Sequence, residues 1–86
     1  MITVAQLEHA RMLAPEAVLL FVQGEHVEAY SSDASYLADY FEADHIEHSR
    51  DEFLGPVAKF ESLDLEPIVK ELVHLGRRVA ICEKVT

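Results

Sequence analysis

The stretch that decides the fold is AVLLFVQGEHVEAY, residues 17–30. It begins with the apolar run Ala17–Val22, whose length and unbroken hydrophobicity are typical of a strand covered on both faces. Residues 24–25 then read as a tight turn, and residues 26–30 alternate like the second arm of a β-hairpin. The alternation assigns five side chains to two faces, with Val27 and Ala29 on one and His26, Glu28 and Tyr30 on the other.

Helical periodicity flanks this hairpin on both sides. Thr3 is a good N-cap for a first helix that ends before Pro15. After the hairpin, any residue of Ser31–Asp33 can cap a second helix. Its apolar stripe has the spacing i, i+3, i+4, i+7 and consists of Ala34, Leu37, Ala38 and Phe41.

The third helix has the clearest pattern in the chain. Ser62 or Asp64 can cap it, Pro67 fits in its first turn, and Gly76 is a good C-terminal stop. Its predicted apolar face consists of Leu65, Ile68, Val69, Leu72 and Val73.

Three further strands complete the prediction. A weak strand includes Ile46 and His48, a short one spans residues 57–60, and the last spans residues 79–82. Residues 50–52 and 55–56 are predicted as loop. The order of elements predicts an α+β fold: one domain over residues 1–86, with a mixed β-sheet, a hairpin near the N-terminus and about three helices.

Charge is the most informative bulk property. Sixteen acidic residues against seven basic ones give a formal net charge of −9, spread along the chain. Nucleic-acid binding draws most of its affinity from Lys and Arg side chains that neutralise phosphates. The only adjacent basic pair is Arg77-Arg78, so we expect the isolated domain to bind DNA weakly. The acids are typical of a solvated surface.

The sequence also predicts the compartment. Cys82 is the single cysteine and has no partner for an internal disulfide, as is typical of a reducing compartment. Residues 1–6 lack the pattern of a signal peptide. The longest apolar run, Ala17–Val22, is far shorter than the roughly 20 residues that cross a bilayer. We therefore expect a soluble, cytoplasmic protein without membrane association.

Motifs for cofactors and metals are weak. The three glycines, Gly24, Gly55 and Gly76, are scattered and build no phosphate-binding loop, so we expect no ATP site and no cofactor. The best metal candidate is His45-x-x-His48, with Asp44 and Glu47 beside it. On a strand, positions 45 and 48 face opposite sides, so the favoured interpretation is exposed polar residues and no metal site.

Catalytic residues are equally sparse. His26 shares a strand face with Glu28, and Glu25 precedes it, so these residues could form an acid–base pair. A catalytic site also needs a concave pocket, which a chain of 86 residues rarely encloses. Serines 31, 32 and 35 are typical of a helix start, and Cys82 of a core strand. The sequence predicts no enzyme.

The order of motifs resembles the N-terminal mismatch-recognition domain of MutS proteins. In that family an apolar strand leads into Gly-Asp-Phe-Tyr-Glu, an aromatic residue, and Asp-Ala opening a helix. Here the corresponding residues are Gly24–Glu28, Tyr30 and Asp33-Ala34. Further on, residues 55–58 resemble the family's Pro-Met-Ala-Gly. The end of the chain also resembles the family, which has Leu-Val, then Gly, then Val-Ala-Ile-Cys-Glu-Gln. The corresponding residues here are Leu72-Val73, Gly76 and residues 79–85.

This resemblance implies a mixed α/β domain that recognises mismatched DNA without catalysis. The family inserts a Phe beside the mismatched base, and a Glu two residues later hydrogen-bonds that base. By position the Glu corresponds to Glu28, whereas His26 stands where the family has Phe. The Arg of the preceding strand falls at Val22, and the Tyr-His before the last helix falls at Ser62-Leu63. The resemblance therefore implies His26 and Glu28 as nucleic-acid-binding residues of a partly degenerate motif.

Two main interpretations follow for function. The first is a MutS-like domain that binds mismatched duplex DNA, alone or in a larger assembly, without an ATPase domain of its own. The second is an acidic protein-interaction module on the same fold, which docks on a protein partner or self-associates through a sheet edge. A third and weaker one is a metal-binding or catalytic domain that uses His26, Glu28, His45 or His48.

Overall fold

The sheet at the centre of the molecule has five strands, in a computed structural model that describes residues 1–41 and 46–83. The elements in chain order are α1 (Val4–Leu13), β1 (Ala17–Gln23), β2 (His26–Tyr30), α2 (Ser32–Tyr40), β3 (Glu47–Asp51), β4 (Gly55–Glu61), a 3-10 turn (Ser62–Asp64), α3 (Leu65–His74) and β5 (Arg78–Glu83). The predicted α+β fold is therefore confirmed, with its N-terminal hairpin and three helices.

The strand order is β3-β4-β2-β1-β5, and the sheet is mixed. β5 runs parallel to β1, with Ala17 opposite Arg78, while the other three pairs are antiparallel. β1 and β2 are thus internal strands, and β3 and β5 form the two edges. The apolar run in β1 is buried as predicted, because neighbouring strands flank it and helices cover both of its faces.

Helices cover the two faces unequally. On one face α1 covers a cluster formed by Leu19, Phe21, Tyr30, Leu54 and Val57, against which Ile2, Leu7, Ala10, Ala14, Ala80 and Cys82 pack. On the other face α2 and α3 cover a larger cluster that includes Val18, Leu20, Val27, Ala29, Leu37, Phe60, Ile68 and Leu72. Because side chains alternate along a strand, His26 and Glu28 belong to the α1 face with Tyr30, as predicted.

The start of α1 is fixed by a capping box. The Gln6 N–H donates to Thr3 Oγ1 at 3.1 Å, and the Thr3 N–H donates to Gln6 Oε1 at 2.8 Å. The two side chains thus satisfy two amides that a helix start leaves unpaired, which confirms Thr3 as the N-cap.

The start of α2 differs from the predicted cap. Ser31 occupies the N-cap position with φ of 56°, but its side chain does not cap the helix. Its Oγ donates to the Leu54 carbonyl at 2.8 Å, and its N–H donates to the Pro56 carbonyl at 2.8 Å. Ser31 therefore ties the helix start to the beginning of β4. Ala38, expected in the apolar stripe, is exposed, and Tyr36 packs on the core instead.

The segment predicted as loop around residues 50–56 is a hairpin. β3 continues through Asp51, and β4 begins already at Gly55. Asp51 Oδ1 accepts the N–H groups of Phe53 and Leu54 at 2.8 and 2.9 Å, which closes the turn. The weak strand predicted to include His48 is therefore present as β3, but its extension through Asp51 was not predicted, because residues 49–51 are polar and carry no apolar alternation.

The predicted caps of α3 are only half confirmed. Asp64 occupies the N-cap position as predicted, but it ends a 3-10 turn, and neither its side chain nor that of Ser62 makes a capping bond. Gly76, with φ of 81°, ends the helix as predicted. Its N–H donates to the Val73 carbonyl and the Arg77 N–H to the Leu72 carbonyl, the pattern of a Schellman motif. Val73, expected on the apolar face, is 60% exposed.

Candidate nucleic-acid interface

Two segments meet at the end of the sheet where the β1–β2 hairpin turns. The Ser62 N–H donates to the Glu25 carbonyl at 2.8 Å, and Ser62 Oγ donates to the Gly24 carbonyl at 3.0 Å. The turn of the hairpin is thereby fastened to the segment before α3. By the resemblance, both segments correspond to positions where MutS domains are expected to contact DNA. The structure brings them together although they are far apart in the chain.

His26 is exposed at this end of the sheet. It is the first residue of β2 and lies opposite Gln23 on β1 and Glu61 on β4. Leu63, which follows Ser62, is 87% exposed. An imidazole and an apolar side chain are therefore both available to solvent beside the hairpin turn. A flat ring in such a position is accessible to a nucleic-acid base.

Glu28 shares the face of His26 but is buried, with 8% of its surface exposed. Its Oε1 lies 3.6 Å from the main-chain nitrogen of Met1, and that nitrogen donates to Gln23 Oε1 at 2.8 Å. Ile2 packs on the cluster beneath α1. Residues 1–2 therefore lie against Glu28, whereas His26 is open to solvent.

Tyr30 continues the polar row beside Glu28. Its hydroxyl accepts a hydrogen bond from Gln23 Nε2 at 3.1 Å, and its ring meets Phe21 edge-on with centroids 5.5 Å apart. Burial, followed by the negative charge of Glu28, raises the pKa of Tyr30 to about 12. Tyr30 is therefore a neutral hydrogen-bonding group, and its bond to Gln23 links β2 to β1 on the face that carries Glu28.

Lys59 lies on this candidate surface, and the sequence did not single it out. It lies directly opposite Glu28 on β2 and opposite Glu47 on β3, so the three side chains point to the same face. The other basic residue on β2–β4, Arg50, lies opposite Pro56 and points to the other face. Finding Lys59 from sequence requires the register of β4 against β2, which no local pattern supplies.

The charge of this surface is negative. Lys59 shares its face with three glutamates, Glu28, Glu47 and Glu61, and Glu25 lies in the adjacent hairpin turn. Phosphates approach such a surface against Coulomb repulsion, which salt screens only partly at close range. The arrangement offers stacking and hydrogen-bonding groups but little attraction for a DNA backbone.

Metal and membrane features were also sought in residues 1–41 and 46–83. Over these residues, no three His, Cys, Asp or Glu side chains are grouped to hold a metal ion. His48 is exposed on β3, while His45 and Asp44 of the candidate metal motif lie outside the described residues. Within the same ranges, no helix is long and apolar enough to cross a membrane.

Comparison with known proteins identifies the family. The family model for MutS domain I matches residues 3–86, which is nearly the whole chain. A comparison with curated proteins gave no match. The matched range includes the hairpin, the segment before α3 and both sheet edges, in agreement with the motif order in the sequence. This chain belongs to the MutS domain I family.

Proposed function

We propose that the chain is a non-catalytic, MutS-like domain that binds mismatched DNA through the hairpin end of its sheet. The observation that carries this proposal is the exposure of His26 beside the Ser62–Leu63 segment, in a chain of the MutS domain I family. Ring stacking on an unstacked base is a recognised way to bind a distorted duplex, and it needs an accessible flat side chain.

The two proposed site residues have different roles. The His26 imidazole stacks beside the mismatched base, with less apolar area than the family's phenyl ring. Glu28 accepts a hydrogen bond from that base once residues 1–2 move away from its carboxylate. Lys59, directly across from Glu28, places one positive charge beside the base and its phosphate.

Binding by the free domain is expected to be weak. The chain has a net charge of −9, and Lys59 is outnumbered by glutamates on its own face. A protein partner that supplies a basic surface would remove this penalty. We therefore place the domain in a larger DNA-bound assembly. In that assembly the domain contacts the mismatched base while the partner binds the DNA phosphates.

A second candidate function is an acidic protein-interaction module without DNA binding. It is favoured by the burial of Glu28, which keeps the proposed base-reading carboxylate away from solvent. On this interpretation the glutamates around the hairpin meet a basic protein surface. The fold alone does not decide between the two functions.

A fluorescence-anisotropy titration at low salt tests the proposal. The domain is titrated into a duplex with one mismatch and into its matched control. The proposed function predicts tighter binding to the mismatch, with the preference lost in His26→Ala and Glu28→Gln. Equal binding to both duplexes, or none, contradicts it and supports the interaction module.

Two control variants separate these effects from charge and folding. His48→Ala removes an imidazole from β3 that points to the other face. Glu71→Gln removes one negative charge from an exposed position on α3, as Glu28→Gln does at the site. Both controls should keep the preference for the mismatch, because neither residue lies at the hairpin end.

A further inference from the structure

The two edges of the sheet differ sharply in composition. The edge strand β3 reads EHSRD and carries only charged and polar side chains. The opposite edge strand, β5, reads RVAICE, with four apolar residues between its charged ends. Charged edge strands resist pairing with another sheet, whereas an apolar one invites it. β3 is therefore a protected edge and β5 is an open one.

The outer side of β5 has no partner among the described residues. β5 pairs with β1 from Arg78 to Glu83 and ends the strand order. Beyond that ladder, no hydrogen bond within residues 1–41 and 46–83 involves residues 78–83. An edge strand leaves a row of main-chain N–H and carbonyl groups free to bind another strand.

Exposed apolar side chains accompany this edge. Ile81 on β5 is 47% exposed, and Val73 on α3, the helix that packs on β5, is 60% exposed. Val79 and Ile81 point to the same face because they are two residues apart. Both the main chain and the side chains of this edge are therefore suited to contact with a second sheet.

Symmetry limits how two copies of β5 can pair. In an antiparallel pair about a two-fold axis, opposing residues must point to the same face, so their residue numbers sum to an even value. The register centred on Ala80 pairs residues 78–82 of one β5 strand with residues 82–78 of the other. It sets Val79 opposite Ile81 of the second copy and Arg77 opposite Glu83 of the second copy.

The charges of Arg77, the residue just before β5, and of Glu83, the last residue of β5, favour this register. Arg77 is held on the face of Val79 and Ile81, since its guanidinium lies 4.2 Å from the centre of the Tyr36 ring on α2. By symmetry the pairing of Arg77 with Glu83 occurs twice, once at each end of the interface between the two β5 strands. In the register centred on Ile81, Val79 would instead lie opposite Glu83. The ion pairs would then be lost, and a charged side chain would lie beside an apolar one.

We propose that β5 is a docking edge for a second copy of this chain. The two copies pair antiparallel along β5 with Ala80 facing Ala80, and their sheets join into one continuous sheet. This interface lies on the outer edge of the sheet, and β1 lies between it and β2, which carries His26, although Glu83 is opposite Val22 near the hairpin turn. The proposal therefore stands whether or not the domain binds DNA.

Sedimentation analysis of the purified chain over a wide concentration range tests the proposal. We expect a monomer–dimer equilibrium, weakened roughly tenfold in Kd by Glu83→Arg and similarly by Arg77→Glu, since each change sets like charges opposite one another at both ends. An equimolar mixture of the two variants should restore the dimer. In the mixed dimer every position 77 again faces an opposite charge at position 83.

The mixture separates the proposed register from a folding defect. A variant that only misfolds gains nothing from the other variant, and circular dichroism of each one checks its fold. Ser49→Lys on the opposite edge, β3, is the control and should leave the dimer unchanged. A wild-type chain that stays monomeric throughout, or a mixture no stronger than the single variants, overturns the proposal.

Discussion

Arg11 and Asp33 form an ion pair that joins the last turn of α1 to the first turn of α2. Asp33 Oδ2 also accepts the N–H of Leu19 on β1 at 3.1 Å, and Arg11 donates to the Ala17 carbonyl at 2.7 Å. One carboxylate therefore links two helices to the internal strand β1. In this chain the Asp of the Asp-Ala motif positions the hairpin from within the fold.

Replacing Asp33 should destabilise the domain strongly. Asp33→Ala leaves the buried Leu19 N–H without an acceptor and the partly exposed Arg11 guanidinium without its ion partner, at a cost of about 2–4 kcal/mol. Urea unfolding followed by circular dichroism measures the loss. Asp39→Ala, at an exposed position on the same helix, should change stability by less than about 0.5 kcal/mol. An equal effect of the two variants contradicts the structural role of Asp33.

Tyr30 should make the stability depend on alkaline pH. Its pKa rises from 10.0 to about 12 on folding, so the folded state holds the phenol proton more tightly than the unfolded state does. The stabilisation is complete below pH 10 and is lost as the pH rises through about 12, by roughly 2–3 kcal/mol. Urea unfolding across this range measures it. Tyr30→Phe should lack this component, and an identical pH profile in the variant contradicts the assignment.

Lys59 should contribute to DNA affinity without contributing to mismatch preference. Lys59→Gln removes one phosphate-neutralising charge at the hairpin face, so affinity for matched and mismatched duplexes should fall equally. The slope of log K against log salt should decrease by about 1. Lys70→Gln, which removes the same charge from an exposed position on α3, should leave both quantities unchanged. Equal effects of the two variants would mean that only the net charge matters.

His26→Phe should strengthen mismatch binding. A phenyl ring at this exposed position stacks more apolar area on a base, and such stacking is worth about 1–3 kcal/mol. We expect about tenfold tighter binding to the mismatched duplex and little change for the matched one. Anisotropy titrations of both duplexes measure this difference. A gain of equal size for both indicates nonspecific adhesion and contradicts a wedge at position 26.

The parts of the fold with strong local patterns were predictable from sequence. The buried strand Ala17–Val22, the hairpin turn, the Thr3 cap and the Gly76 stop are each set by residues close together in the chain. β3 was predicted only as a weak strand around His48, and its continuation to Asp51 was predicted as loop, because an exposed edge strand carries polar residues and lacks the apolar alternation of a half-buried strand. Ser31 and Asp64 occupy predicted N-cap positions, but neither side chain caps its helix, and the hydroxyls of Ser31 and Ser62 bond to distant carbonyls.

The candidate site was predictable only in part. The shared face of His26 and Glu28 follows from their spacing alone. The burial of Glu28 does not follow from spacing, because it depends on residues 1–2 packing against its carboxylate. The place of Lys59 depends on strand register, and the fastening of the hairpin to Ser62 joins positions distant in sequence. Such long-range relationships are set by tertiary packing, which no local pattern encodes.

The central claim is that the hairpin end of the sheet is the surface that meets mismatched DNA. Amide chemical-shift mapping of the isotope-labelled domain with a mismatched duplex at low salt tests it most directly. The account predicts shifts concentrated at residues 24–28 and at Ser62–Leu63, with smaller ones at residues 1–2 as they leave Glu28. A spectrum unchanged by the duplex, or shifts confined to other parts of the molecule, would contradict it.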